Sequence, residues 1–184
     1  MAMSSTTYTR AALFSAVCVA LNISLNKLAV VLQLPVFMDT VGTVLSGALV
    51  PPIFSVAVGV ISNLIGGVVT HPAIPFFAFT QVVVSIMAIV GYRRGWFDRA
   101  WTAVLLGLAI GIVSAIVSAP VTVLMFGGVT EPGATAVNAV LLAAGHDLWT
   151  AVLSGTIIVS SIDKVIAALI TMLVLKRLPQ RLRR

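Results

Sequence analysis

The residues of this chain that could do chemistry are few, and most are set among apolar runs. Asn22 and Asn26 lie four apart beside Lys27, Asp39 follows a turn, Asn63 and Gln81 come later, and Asp163 and Lys164 are adjacent. Carboxylates, ammonium groups and carboxamides together can hold a small polar solute by charge and by matched donors and acceptors. No nucleophile stands with a base at a catalytic spacing, so the chain reads as a binder and not as an enzyme. His71 and His146 cannot be brought together from sequence, and without a spaced cluster of His, Cys or acids no metal site or other cofactor is expected.

Each polar residue also has a plainer reading. Asp39 sits where a helix dipole favours an acid, and an ion pair with Lys27 or a contact to ligand are both open. Asn22, Asn26, Asn63 and Gln81 suit interhelical hydrogen bonding as well as a heterocycle. Asp163 and Lys164 project about 100° apart on one helix and read as poor partners, with Lys164 free to snorkel to the headgroups. Phe37, Phe76, Phe77, Phe79, Phe126 and Trp149 suit an interfacial belt. Phe37 and Phe77 are the aromatic rings best placed to stack on a flat ligand.

These groups must be positioned by helices in a bilayer. The chain has 184 residues, of which 60% are hydrophobic and 9% charged, with a mean hydropathy of +1.15. A soluble domain of this length could not cover itself with so few polar residues. Several apolar runs approach the ~20 residues needed to cross hydrocarbon, so we expect an all-α polytopic membrane protein forming a single transmembrane domain over residues 1–184. Cys18 is the lone cysteine, which excludes a disulfide framework. Residues 1–30 read as a retained helix, because Asn22, Asn26 and Lys27 interrupt what would be the core of a leader.

Six spans are predicted: about Arg10–Leu32, Met38–Val50, Ile53–Val69, Phe76–Gly91, Trp101–Phe126 and Ser161–Leu178. The second is short, about 20 Å as a helix. Pro120 should kink the fifth, whose Gly107 and Gly111 form a close-packing pair. Ser160-Ser161-Ile162-Asp163 reads as a helix start. Residues 127–160 then form a long, lid-like outer connection with short helices near 134–144 and 148–159, or alternatively a re-entrant span.

With both termini cytoplasmic, the inner side carries Arg10, Arg93, Arg94, Arg99, Lys176, Arg177, Arg181, Arg183 and Arg184. The outer side carries Lys27 and Lys164. That bias satisfies the positive-inside rule and explains the net charge of +6 without nucleic acid. The acids sort oppositely, with Asp39, Glu131, Asp147 and Asp163 outside and Asp98 inside.

The first span also carries Ala12, Ala16 and Ala20 along one side, away from the stripe of Ser15, Asn22 and Asn26. That ladder, the segment LPVFMDTVGTVLSGALVPPIFSVAVGVISNLIGG from Leu34 to Gly67, and the later MFGGVTEPG and SSIDKVIAALITMLVLKRLP resemble the substrate-binding S components of energy-coupling factor (ECF) transporters. The resemblance implies a multi-pass subunit of a prokaryotic plasma membrane. Such a subunit captures a vitamin-like small molecule at the outer face. It delivers that solute through a T subunit powered by two cytoplasmic ATPases, as in an ABC importer. It also implies that Ala12, Ala16 and Ala20 are the coupling face. The chain has no Walker A sequence, so the ATPases are separate chains. The outer acids lean the cargo toward a cationic or zwitterionic compound. The alternatives are a sensor or assembly subunit and a solitary facilitator.

Overall fold

The computed structural model describes residues 5–179; Arg181, Arg183 and Arg184 of the inner charge set lie outside them. The described chain is all helical: α1 (Ser5–Val31), α2 (Val41–Leu49), α3 (Pro52–Val69), α4 (Ala78–Arg93), α5 (Ala100–Phe126), α6 (Pro132–Ala143) and α7 (Leu148–Arg177). A single 3-10 turn, Ile74–Phe77, leads into α4. Five segments are long and apolar enough to cross a membrane: Tyr8–Val31, Pro52–Val69, Ile74–Arg93, Ala100–Phe126 and Leu148–Arg177.

α2 falls short of that length. Its nine residues rise about 13 Å, because residues Met38 to Thr40 of the anticipated span are not helical. Met38 is left-handed, with φ 55°, a conformation unfavourable for a residue with a side chain. Its N–H donates to Asp163 Oδ1 at 2.6 Å, which pins the backbone there. Pro51 and Pro52 then turn the chain directly into α3, where a proline in the first turn costs no hydrogen bond.

Side-chain contacts give the helix directions. Tyr8 meets Phe54 at one end of α1 and α3, and Lys27 reaches the Val69 carbonyl at the other, so these two run parallel. Ser46 bonds Ser55 across the α2–α3 hairpin. Gly59 packs on Gln81, and Gly107 and Gly111 pack on Val165 and Ser161. Neighbours α3–α4 and α5–α7 are therefore antiparallel. Gly91 against Leu106 joins the end of α4 to the start of α5. The start of α1 and the end of α7 thus share one end of the bundle, together with Arg10, Arg93, Arg94, Arg99, Lys176 and Arg177.

The last third of the chain departs from the expected arrangement. α7 is one 30-residue helix from Leu148, with no break at Ser160–Ser161 and no separate helix over 148–159. The apparent start signal fails because Asp163 is spent on the distant Met38 and Thr40 and on its chain neighbour Lys164. The true cap lies upstream, where Asp147 accepts the Thr150 N–H at 3.1 Å and the Thr150 hydroxyl at 2.6 Å. The connection therefore shrinks to residues 127–147, with α6 as its single helix. α5 continues through Pro120. Its GxxxG pair sets the α5–α7 contact, since a Cβ at Gly107 would lie 2.6 Å from the Val165 Cα.

Candidate functional site

A cavity opens in the end of the bundle opposite the arginine cluster. Its walls come from the Phe37–Thr40 segment, Asn63 of α3, the Ile74–Phe77 turn, Thr80 and Gln81 of α4, three hydroxyl residues of α5, Thr130 and Glu131 of the connection, and Thr156, Ser160 and Lys164 of α7. The enclosed space measures about 60 Å³. That is less than half of the ~150 Å³ of an engineered cavity that admits benzene. A molecule with an aromatic ring would fit only if a wall gave way.

Four ionisable groups lie at it, Lys164, Asp39 and Glu131 in the wall and Asp163 behind it. Lys164 Nζ lies 2.5 Å from Asp163 Oδ2 and 3.2 Å from Asp39 Oδ1, and 5.5 Å from the centre of the Phe37 ring. Asp163 also takes the Met38 N–H and, at 3.4 Å, the Thr40 hydroxyl. Adjacent on one helix, Asp163 and Lys164 are partners after all. The Cα–Cβ bonds diverge, but four methylenes let the ammonium fold back to reach both carboxylates. Lys164 is therefore buried and does not snorkel. Nor does Asp39 pair with Lys27, which hydrogen-bonds the Val69 carbonyl at 3.0 Å.

Glu131, the fourth group, accepts from Asn26 Nδ2 at 3.0 Å; the same amide nitrogen donates to the Phe37 carbonyl at 2.9 Å. Burial, and after it the Asp39 carboxylate, push the Glu131 carboxyl up to about 8. The carboxyl is thus mostly protonated at neutral pH.

Behind the wall a continuous hydrogen-bond chain sets the remaining side chains. Asn22 donates to Thr43 at 2.9 Å and Ser62 at 3.1 Å and accepts the Gly42 N–H at 2.6 Å. Thr43 donates to Gln81 Oε1 at 2.9 Å. Gln81 Nε2 in turn meets Asp39 Oδ2 at 2.9 Å and Asn63 Oδ1 at 3.1 Å, and Asn63 reaches the Ile74 carbonyl. Close helix approach makes the chain possible: Gly42 lies so near the Cys18 carbonyl that no Cβ fits.

Of the residues singled out from sequence, Phe37, Asp39, Asn63, Phe77, Gln81 and Lys164 line the cavity. Asn22, Asn26 and Asp163 stand behind it, holding the residues that do. The aromatic belt divides similarly. Phe76 and Phe79 are exposed and Phe77 is half-buried, with Phe76 edge-on to Phe126 at 5.4 Å. His71 is spent on the Ala73 N–H, and His146 is exposed, apart from the cavity lining. Among the described residues no three His, Cys, Asp or Glu side chains could together hold a metal ion.

Two features of the wall went unread in the sequence. One is Glu131, which the outer-acid count included without assigning it a place. The other is a pair of hydroxyl columns, Ser114-x3-Ser118-x3-Thr122 on α5 and Thr156-x3-Ser160 on α7, the second leading one turn later to Lys164. Fourfold spacing puts each set on one helix face, a signal as legible as the alanine ladder.

Ala12, Ala16 and Ala20 are all exposed on the outside of α1, among the exposed Leu13 and Val17. Comparison with protein families, curated proteins and solved structures returned no match.

Proposed function

We propose that this chain is the solute-capturing subunit of an importer of the energy-coupling factor type. It would take a small vitamin-like compound into the cavity at the outer face and hand it on after docking a T subunit served by two ATPases. The observation that carries this reading is the two-sidedness of α1. Its inward face supplies Asn22 and Asn26, which brace the cavity wall. Its outward face presents an unused ladder of small side chains, the kind of surface on which a second membrane helix packs closely. A solute that reshapes the wall is thereby coupled mechanically to a docking surface on the same helix.

Six crossings follow if α2 and the extended residues before it count as one. With both ends of the described chain at the arginine-rich end, that count meets the positive-inside rule and places the cavity outside. The connection 127–147 is then the lid. Gly133 sits against the Leu34 carbonyl, with no room for a Cβ, and the Gly155 backbone lies against the Asn138 side chain. Between them the Asn26–Glu131 bond closes the cavity. Lid opening is the movement that enlarges a 60 Å³ space.

The test pairs a binding assay with an uptake assay. Ala12→Leu combined with Ala16→Leu leaves solute binding and the thermal midpoint of the isolated subunit unchanged, because both side chains are outside the fold. The same variant loses ATP-dependent uptake and co-isolation with the ATPase module. Equal loss of binding and uptake, or uptake that persists without any ATPase, overturns the assignment. The second outcome would leave a solitary facilitator.

A further inference from the structure

We infer that the cavity takes a small organic monocation and that Glu131 is the carboxylate that pairs with it, with Ser114 supplying a hydroxyl from the α5 wall. The inference rests on the solute-capture reading and names the class of solute. Its first support is a charge imbalance with a definite location. Three carboxylates, Asp39, Asp163 and Glu131, surround one ammonium, Lys164. That ammonium is already held between Asp163 and Asp39, and Asp163 is further saturated by the Met38 N–H and the Thr40 hydroxyl. Glu131 is left with a neutral carboxamide, Asn26, as its hydrogen-bond partner. An uncompensated buried carboxylate either keeps a proton or takes a cation.

The second support is independent of the acids. Ser114 is 1% exposed and lines the cavity, and its Oγ has no hydrogen-bond partner. A buried hydroxyl left unpaired is destabilising, and its neighbours at fourfold spacing, Ser118 and Thr122, face the same space. A solute with one positive group toward Glu131 and a hydrogen-bonding group toward Ser114 satisfies both defects at once. An anion meets the wrong sign at Asp39 and, wherever it is ionised, at Glu131.

The arrangement makes capture pH-dependent. The charged groups facing Glu131 are Asp39 and Asp163, which favour its protonated form, and Lys164, which opposes them. Because burial and Asp39 hold the carboxyl at about 8, an arriving cation must displace a proton at lower pH. Affinity therefore falls as pH drops below about 8, by at most tenfold per unit.

Three pyridines substituted at the 3-position with aminomethyl, hydroxymethyl or carboxylate groups present one ring with positive, neutral or negative charge. Titration calorimetry on the detergent-solubilised full chain should find the aminomethyl compound at least about tenfold tighter than the hydroxymethyl one, and the carboxylate weakest. Glu131→Gln keeps an oxygen for Asn26, so the wall is retained. It should bring the aminomethyl compound to within about twofold of the hydroxymethyl one and abolish the rise in affinity between about pH 6 and about pH 8. Ser114→Ala, which breaks no hydrogen bond, should weaken both. Equal or tighter binding of the neutral or anionic ring, no binding by any of the three, or a full charge preference surviving in Glu131→Gln overturns the proposal. All of this is read without ATPases. Charge-selective capture with no import in cells would sink the transport reading alone, and import with no charge preference would sink this one alone.

Discussion

The two halves of the bundle are built on opposite principles. Toward the arginine-rich end the interior is an apolar cluster of Val44, Ala48, Ala88, Ala103, Leu106, Ala168, Met172 and Leu175, with Phe97 of the α4–α5 loop closing it. Toward the cavity the interior is a hydrogen-bonded chain from Asn22 to Ile74 beside an ionic knot at Lys164. In lipid there is little hydrophobic force to press helices together, so small residues and polar pairs hold them. The apolar half uses the first device and can be rigid. The polar half uses the second, and hydrogen-bonded members can exchange partners where apolar contacts have none to exchange. One half is a frame, and the other is a site.

Removing the ammonium tests that contrast most severely. Lys164→Met leaves Asp163 fully buried with its cation gone and should cost about 3–5 kcal/mol, or prevent the chain from accumulating in the membrane. Adding Asp163→Asn to Lys164→Met removes one of the stranded charges and should recover most of the loss, read as the thermal midpoint in detergent. If the single variant is as stable as the parent, the knot contributes no structure and the polar half is not what we describe.

One substitution made in both halves should change sign. Thr43→Val in the polar half strips an acceptor from Asn22 and a donor from Gln81, and about 2 kcal/mol of destabilisation follows. Thr171→Val in the apolar half removes a fully buried hydroxyl that has no partner. It should be neutral or stabilising by about 1 kcal/mol. Equilibrium unfolding of the two variants gives the comparison directly, and the same sign for both would erase the distinction.

Much of the frame was legible in the sequence because hydropathy and glycine spacing are local signals. The apolar runs of α1, α3, α4 and α5 and the Gly107–Gly111 seam all follow from them. The site was legible in its residue types and less so in its pairings. Asp39, Asn63, Gln81 and Lys164 were recognisable as polar groups out of place, but Lys164 reaching back to Asp163 and across to Asp39 depends on the Phe37–Thr40 segment lying over α7. No spacing rule encodes that contact between residues 125 apart. Glu131 lies 105 residues from Asn26 and was equally unreadable. The break misplaced at Ser160 has the same origin, since a local cap pattern was overruled by a distant partner for Asp163.

The start of α7 gives the smallest effect and a clean boundary to the site. Asp147 is exposed, and the Thr150 hydroxyl and N–H hold its carboxyl below the usual carboxylate range. A depressed value means the cap stabilises the first turn at any pH above the ordinary carboxylate range and is lost as pH falls through the lowered value. Asp147→Ala should therefore speed amide exchange at Thr150 and Ala151 near neutral pH, and the difference from the parent should vanish in acid. Solute affinity should not change, because Asp147 lies outside the cavity wall. A change in affinity would mean that the lid is hinged on this cap, and that the boundary between frame and site runs through α7 and not across the middle of the bundle.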